Sequence, residues 1–265
     1  MFRFVFGVCA VFLSACATMQ PPLSGEPANS LKSGKAVVAF FDGVEQIKYS
    51  RDIYLVLAVA KEASYSTYSG LWNSNADVSG IHTTELSKIG IQAKSLYEAL
   101  SPEEIAEIQP ILKTMDVSSR MKASNNSNEL ASEKTAPHLK QKLKDMLLSK
   151  GFDYLFFITW SGYNLDVPAL GISPRETLDT TYSIYDLNRD SLLWNGSVRA
   201  FEQVDLGEAT AKEYIEKNDL SGLKKEVGRM ISEKYKIRTD HGINSTSVGQ
   251  YIGLQDNVAA VKQGE

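Results

Sequence analysis

The stretch FDYLFFITW, residues 152–160, decides the fold of this chain of 265 residues. Its large apolar side chains follow one another almost without interruption, which is typical of a strand buried on both faces of a sheet. A helix with apolar residues spaced by three and four precedes it. Pro137 opens that helix, and Gly151 is placed to close it in the left-handed conformation. We therefore expect a central strand with helices packed against it.

An antiparallel hairpin is predicted after this strand. Residues 180–185 alternate between polar and apolar side chains, residues 188–190 supply a polar turn, and residues 192–200 return. The returning strand places one apolar set on a single face: Leu192, Trp194, Val198 and Ala200. The hairpin is therefore predicted to bury one face and expose the other.

Further strands are predicted nearer the N-terminus. The uncharged run 36–41 is typical of a central strand, and residues 53–60 predict another, although their Leu and Ala content leaves a helix open. Residues 64–80 fit either a strand or an irregular loop. A helix is then predicted to start near Thr83 or Thr84, with these residues on its apolar face: Leu86, Ile89, Ala93, Leu96, Tyr97 and Leu100.

A sharper helix start follows at Ser101. This residue as N-cap, Pro102 at the first helical position and Glu104 three residues after the cap form a capping box. Pro110 is expected to kink or end the helix. Residues 116–136 are polar and have almost nothing to bury, so they predict a mobile loop.

Two more helices are predicted in the last third of the chain. The first spans residues 208–217, and the second carries a clear apolar stripe: Leu220, Leu223, Val227, Met230 and Ile231. The whole pattern predicts an α+β fold, with residues 36–237 forming a single domain in which a mixed, mostly antiparallel sheet is flanked by amphipathic helices. Residues 238–265 are predicted to be a polar, poorly ordered tail.

The N-terminus carries an export signal. The apolar run of residues 4–13 follows Arg3 and is too short for a transmembrane helix, which needs about 20 residues. The tetrapeptide LSAC, residues 13–16, resembles the lipobox of bacterial lipoproteins. That resemblance implies removal of residues 1–15 as a signal peptide and attachment of lipid to Cys16. Ordinary secretory cleavage after Ala17 remains open, because small residues also flank that bond.

Lipid attachment implies where the protein would reside. Two or more acyl chains hold a protein firmly to a membrane. In the lipoprotein family an Asp after the modified cysteine favours the inner membrane, and Ala17 stands there, so the resemblance implies the outer membrane with the domain facing the periplasm. Residues 16–35, rich in Pro, Ser and Gly, are predicted to be a lipidated flexible tether. Because Cys9 lies in the signal, no thiol would remain for a disulfide or for thiol catalysis.

The charge balance excludes one class of partner. The chain has 28 basic and 32 acidic residues and a formal net charge of -4. Nonspecific nucleic-acid binding requires a basic surface, so we expect no nucleic-acid partner.

Catalytic and metal-binding motifs are weak. The three histidines, His82, His138 and His241, are far apart in the sequence, and no His-Glu-x-x-His motif, P-loop or nucleophile elbow occurs. His82 and Glu85 share a helical face, but an ordinary helix pair explains them better than a metal site. We therefore expect no metal, no cofactor and no catalysis.

Three aspartates near strand ends offer an enzymatic alternative. Asp153, Asp166 and Asp186 would be paired carboxylates for acid–base chemistry if the fold brought them together, although solvated turn residues are the simpler interpretation. The competing hypothesis is therefore a periplasmic hydrolase with a dispersed carboxylate and histidine site.

The connection 162–178 is the predicted partner-binding segment. It is too apolar for a solvated loop, and its predicted contact residues are Tyr163, Leu165, Leu170 and Ile172. Loops held by rigid elements commonly carry recognition. An edge strand folded back over the core is the alternative, and both remain open.

Residues 137–235 resemble a recurrent block of periplasmic lipoproteins. The helix, the Gly-Phe-Asp-Tyr entry into the strand and the hairpin ending in Leu-Trp-Asn-Gly are similar to those of the curli-secretion lipoprotein, the activator lipoproteins of penicillin-binding proteins and the amino-terminal domain of the Tol translocation protein. The resemblance implies a sheet flanked by helices. It also implies a non-enzymatic accessory role, with an envelope protein as partner in envelope assembly or secretion.

Overall fold

The predicted central strand is the longest strand of the sheet. In the computed structural model it spans Tyr154–Val167, and the structure describes residues 23, 25–55, 58–125, 136–167, 174–203, 208–235, 248 and 252. The described elements follow in chain order: α1 (Glu26–Ser33), β1 (Lys35–Phe41), β2 (Gln46–Leu55), β3 (Ala58–Thr67), α2 (Ser74–Lys88), β4 (Gln92–Ser95), α3 (Leu96–Ala99), α4 (Pro102–Asn125), α5 (Gln141–Ser149), β5 (Tyr154–Val167), β6 (Arg175–Asp186), β7 (Ser191–Gln203) and α6 (Glu208–Tyr235).

β5 organises the sheet because it pairs along both of its edges. One edge pairs with β6 in antiparallel fashion. The other edge pairs in parallel with β1 over residues 154–159 and then with β2 over residues 163–167. The change of partner coincides with a register shift between Trp160 and Tyr163, where Gly162 has a φ of +94°. A side chain at Gly162 would place its Cβ 3.3 Å from the Gln46 carbonyl oxygen.

Three further pairings complete one seven-stranded sheet. β4 pairs in parallel with β1, while β3 pairs antiparallel with β2 and β7 pairs antiparallel with β6. The antiparallel pairings are the longer ones. The prediction of an α+β domain with a mixed, mostly antiparallel sheet is confirmed.

Helices cover both faces of the sheet, so the strands predicted to be buried on both faces are so. Ala36, Val38 and Phe40 of β1 pack into a first apolar core with α1, α2 and α6. The alternate β1 residues, Val37, Ala39 and Phe41, pack into a second core with α3, α4 and α5. The side chains of β5 divide between the two cores in the same way.

The segment 53–60, predicted as one strand, is the end of a hairpin. β2 ends at Leu55, β3 begins at Ala58, and these two residues pair with each other. The pairing of β2 with β5 ends at Arg51, so the β2–β3 hairpin extends beyond the end of β5. An uncharged run does not distinguish a buried strand from a hairpin end, and this prediction was wrong for that reason.

The helix predicted from Thr83 to Leu100 lies earlier in the chain. α2 begins at Ser74, capped by the Asn73 side chain, which accepts a hydrogen bond from the Ala76 amide. It ends at Lys88 because Gly90 takes a φ of +86°, and β4 and α3 follow. Its buried face is polar in part, with Ser79 and His82 fully buried, so apolar periodicity does not find the beginning of the helix.

Two segments predicted to lack structure are partly helical. α1 lies within the predicted tether and buries Ala28 and Leu31. The capping box at Ser101 is confirmed by reciprocal bonds of 2.8 and 3.3 Å with Glu104. The helix it starts, α4, continues through Pro110 to Asn125, so the loop predicted at 116–136 begins at least ten residues too early.

Smaller corrections concern the last helices and the hairpin. α5 begins at Gln141 rather than at Pro137, while Gly151 closes it with the predicted left-handed φ of +79°. The two helices predicted around residue 220 form one helix, α6, with a positive φ of 65° at Leu220. A register shift in the β6–β7 hairpin turns Leu192 to the second core, away from Trp194 in the first.

The predicted polar tail contributes two residues to the core. Val248 and Ile252 are buried with the first core and are joined by a helical hydrogen bond of 3.1 Å. The remaining residues of 238–265 lie outside the described part of the chain.

Candidate functional site

The predicted partner-binding residues are divided by the structure. Tyr163 and Leu165 lie in β5 and are buried, so the prediction that they belong to an exposed loop is wrong. The alternative of an edge strand is wrong as well, because this part of β5 pairs with β2 on one side and with β6 on the other. Leu170 and Ile172 lie outside the described residues. Their role in binding stays a prediction, and so does the lipid on Cys16, which is also outside the described part.

The three strand-end aspartates do not form one site. Asp166 accepts from the Ser50 hydroxyl at 2.6 Å and lies 2.7 Å from the Lys61 ammonium. Partial burial alone would raise the pKa of Asp166, but the hydrogen bonds from Lys61 and Ser50 lower it. The other two aspartates lie at the opposite end of β5, beside the β6–β7 turn, so Asp166 cannot act with them.

Asp153 and Asp186 have structural roles instead. The Asp153 carboxylate accepts from the Lys35 amide at 2.9 Å and from the Asn188 side chain at 3.1 Å. Asp186 accepts from the Arg189 amide at 2.8 Å and so holds the β6–β7 turn. Both carboxylates therefore hold the end of the sheet where β5 begins, and both already accept hydrogen bonds.

A buried aspartate that the sequence analysis missed connects β1 to β2. The Asp42 side chain, 3% exposed, accepts from the amides of Val44 and Glu45 at 3.0 and 2.9 Å. It also accepts from the hydroxyls of Ser74, at 3.2 Å, and of Tyr68. Burial and the nearby Asp42 charge raise the pKa of Tyr68, which keeps this hydroxyl a neutral donor. Asp42 therefore joins the β1–β2 connection, residues 42–45, to the start of α2.

A cavity of about 530 Å³ lies beside Asp42, between the β1–β2 connection and α4. Its polar lining comes from Asp42, Glu45, Asn75, Gln109 and Lys113. The Asp42 oxygens are already occupied by donors, and Asn75 accepts from the Asp42 amide at 2.7 Å. The residues described along this cavity include no Ser, Cys or His as a nucleophile or base. Its lining carries both acidic and basic side chains.

A strongly perturbed ionisable group is His82, on α2. Its ring is fully buried, its Nδ1 lies 2.8 Å from the Tyr235 hydroxyl, and the Tyr182 ring meets it edge-on at 5.6 Å. Burial, with a smaller contribution from the Lys234 charge, lowers the pKa of His82 to about 3. The imidazole is therefore neutral at neutral pH. It does not line the cavity beside Asp42, so it is not available there as a catalytic base.

Lys234 lies next to His82 in the last turn of α6. Its ammonium donates to the Leu178 carbonyl at 2.7 Å, to the Val198 carbonyl at 3.0 Å and to the Thr180 hydroxyl. Burial lowers the pKa of Lys234 to about 7. Three acceptors match the three hydrogens of an ammonium group, so the charge is buried but saturated. Lys234 fastens α6 to β6 and β7.

A second hydrogen bond joins α2 to α6. The Glu85 carboxylate accepts from the Ser232 hydroxyl at 2.8 Å and lies 2.7 Å from the Lys88 ammonium. With His82–Tyr235 and Lys234, it forms what we call the α6 lock: His82, Glu85, Ser232, Lys234 and Tyr235. The lock joins two helices and the sheet through polar contacts inside a largely apolar core.

The sequence contains only part of the signal for the α6 lock. Lys234 follows Val227 and Ile231 at helical spacing, so its position on the buried face can be found from the sequence. Its acceptors lie 36 to 56 residues away, and Tyr235 is 153 residues from His82, which no local pattern reveals.

No group of three or more His, Cys, Asp or Glu side chains within the described ranges is arranged to hold a metal ion. Among the helices that the structure describes, none combines the length and the apolar character needed to cross a bilayer.

Comparisons with known proteins show similar folds only. No protein-family model matches the sequence, and no curated protein sequence matches it. Similar solved structures include lipoprotein GNA1162 of Neisseria meningitidis, with 14% identity, a TM-score of 0.35 and coverage of 75% of this chain and 94% of that one. The PelC dodecamer of Paraburkholderia phytofirmans has 10% identity, a TM-score of 0.34 and coverage of 75% and 84%. The hypothetical protein CT253 of Chlamydia trachomatis has 13% identity, a TM-score of 0.38 and coverage of 74% and 91%. Likenesses at this level say nothing about what this chain binds.

Proposed function

We propose that this chain is a lipid-anchored accessory protein of the bacterial cell envelope. It is held in the outer membrane through Cys16, faces the periplasm and acts by binding another envelope protein, without catalysis. The observation that carries the proposal is the tetrapeptide LSAC at residues 13–16, followed seven positions later by Leu23, whose side chain is buried in the first core. A lipid attachment site thus stands directly before a folded domain.

The proposed partner-binding residues Leu170 and Ile172 follow β5 in the chain. Residues 168–174 connect β5, which ends at Val167, to β6, which begins at Arg175. Because Arg51 of β2 pairs in parallel with Val167, the β2–β3 hairpin continues at the same end. Residues 61–65 of β3 are all exposed there, and Tyr65 exposes 61% of its surface. We call this the hairpin end of the domain.

A binding role fits the state of the ionisable groups better than catalysis does. Asp42, Asp153, Asp166 and Asp186 each hold backbone or side-chain donors that fix the fold. The competing hydrolase hypothesis would use the cavity beside Asp42, and Glu45→Gln is the variant that tests it. If Glu45→Gln folds and binds the partner normally but no longer supports the protein's function in the cell, that loss of function would favour the hydrolase.

In-cell photo-crosslinking tests the partner. A crosslinking residue at position 170 or 172 should capture one envelope protein, identified by mass spectrometry, whereas the same residue at position 188, at the opposite end of the sheet, should not. Leu170→Asp with Ile172→Asp should abolish that complex while circular dichroism shows an unchanged fold. The same product from both ends, or loss of the fold in the double variant, would contradict the proposed binding segment.

The mature mass tests the anchor. We expect an N-terminal peptide that begins with Cys16 and carries acyl chains. A mature chain beginning at Thr18 without lipid would show ordinary secretion and would overturn the anchoring part of the proposal.

A further inference from the structure

The chain between Cys16 and the fold is short. The sequence predicts a tether of twenty residues, 16–35, but α1 begins at Glu26, and Leu23 already packs into the first core. Seven residues from Cys16 to Leu23 span at most about 25 Å when fully extended. A flexible chain of that length averages about 15 Å between its ends.

That short chain enters the domain at the end opposite to the hairpin end. The Glu26 carboxylate lies 3.0 Å from the guanidinium of Arg189, in the β6–β7 turn. At the other terminus of α1, Gly34 packs against the Tyr154 ring at the start of β5, and the Lys35 amide is bound by Asp153. α1 therefore lies across the end of the sheet where β1 and β5 begin, which we call the α1 end.

The two ends are far apart. β5 contains 14 residues and runs from the α1 end to the hairpin end. At about 3.3 Å per residue, that strand alone separates them by about 40 Å. The distance exceeds the longest span of residues 16–23. A domain standing on its hairpin end would need α1 about 40 Å from the bilayer, which those residues cannot reach.

We infer that the α1 end is a membrane-facing surface: it rests against the bilayer that holds Cys16, and the hairpin end points away from it. This inference rests on the lipid attachment in the proposed function and adds an orientation to it. A rigid body attached at one end by a chain shorter than itself cannot stand on its other end. With the hairpin end pointing away, the partner is bound up to about 40 Å from the anchoring membrane.

The α1 end presents groups suited to lipid headgroups. Arg189, Lys35 and Ser33 are exposed there, and Lys144 lies 3.2 Å from Asp190 of the same turn. Cations paired with acidic groups near a headgroup layer allow close approach without a strong preference for anionic lipid. The orientation therefore depends on the short chain rather than on charge.

A matched pair of serines tests the orientation. Ser33, in α1, and Ser64, in β3, are both exposed, and Ser64 pairs with Tyr49, at the level of Leu165 near the hairpin end. Acylated full-length protein carrying Ser33→Cys or Ser64→Cys is labelled with a fluorophore and reconstituted into phosphatidylethanolamine and phosphatidylglycerol vesicles containing a headgroup quencher. We expect several-fold stronger quenching of the label at position 33.

A longer chain supplies the second measurement. Inserting twenty Gly and Ser residues after Thr18 raises the average span to about 30 Å. Quenching at position 33 should then fall towards that at position 64. Equal quenching at the two positions in the original protein, or stronger quenching at position 64, would overturn the orientation.

The outcomes separate the two proposals. The intact mass is measured before reconstitution. Absence of lipid from Cys16 would overturn the anchor and the orientation together. Acylated protein with equal quenching at the two labels would overturn the orientation alone and leave the anchor standing.

Discussion

Acidification should destabilise the fold through His82. The folded protein holds this imidazole at a pKa of about 3, whereas an unfolded chain has a histidine pKa near 6.5. Between these values the unfolded state binds the proton and the folded state does not. The contribution of His82 to the free energy of unfolding is therefore fully present above pH 6.5 and falls as the pH drops from 6.5 to 3. Below pH 3 this contribution no longer changes.

The size of the effect follows from the same two values. Each pH unit inside the window costs about 1.4 kcal/mol, so lowering the pH from 7.5 to 4.5 should remove about 3 kcal/mol through His82 alone. The groups that face His82 do not offset this loss. Tyr235 and Tyr182 are neutral phenols whose pKa values burial raises. Burial lowers the pKa of Lys234 to about 7, so this amine adds to the loss between pH 7.5 and 7 instead of offsetting it. Glu85 is engaged with Ser232 and Lys88.

Urea unfolding followed by tryptophan fluorescence measures the effect, because Trp72, Trp160 and Trp194 are buried. His82→Gln removes the titration and keeps a side chain that can hydrogen-bond to the Tyr235 hydroxyl. It should lose about 3 kcal/mol less than the original protein between pH 7.5 and 4.5. His138→Gln, at an exposed histidine, is the control and should leave the pH dependence unchanged. An equal loss in His82→Gln and the original protein would refute the reasoning.

Three further predictions concern stability. Lys234→Met should cost roughly 2–4 kcal/mol by leaving buried acceptors unpaired. It should also abolish a rise in stability between pH 7 and 10.5, where the unfolded chain keeps the lysine proton that the folded chain releases, as urea titrations at pH 7 and 9.5 will show. Asp42→Asn should lower stability by about 1–3 kcal/mol, measured by thermal unfolding, because an amide nitrogen cannot accept the hydroxyl bonds. Gly162→Ala should destabilise by about 1–3 kcal/mol because of its positive φ, whereas Gly80→Ala in α2, with open space around it, should stabilise by up to about 1 kcal/mol.

The sequence predicted the elements whose signals are local. β1 and β5 were recognisable because a strand buried on both faces must be apolar at every position. The capping box at Ser101 and the left-handed Gly151 were recognisable because each is a short-range hydrogen-bonding or backbone requirement.

The misses share another physical cause. The first half of α2 is not recognisable in the sequence, because its buried residues Ser79 and His82 are polar and hydrogen-bond to other elements. A helix whose buried face is polar lacks the usual apolar periodicity. α1 was assigned to the tether because two buried residues, Ala28 and Leu31, are too few for a periodic signal. Their burial depends on a core assembled from the rest of the chain.

The candidate sites were the least predictable part. The hydrogen bonds of Asp42 depend on Tyr68 and Ser74, which lie 26 and 32 residues away. The α6 lock depends on contacts over as many as 153 residues. Such sites exist only once the sheet has formed. The sequence could at most show Lys234 within an apolar stripe.

The position of α6 has a consequence for biogenesis. The first core needs Leu223, Val227 and Ile231 of α6, together with Val248 and Ile252. A chain crossing a membrane in the N- to C-terminal direction cannot close that core until nearly all of it has emerged. Contacts between residues far apart in the sequence also form slowly. If the protein is exported as proposed, late closure would keep it unfolded and competent for translocation, and a chain truncated after residue 206 should remain sensitive to protease.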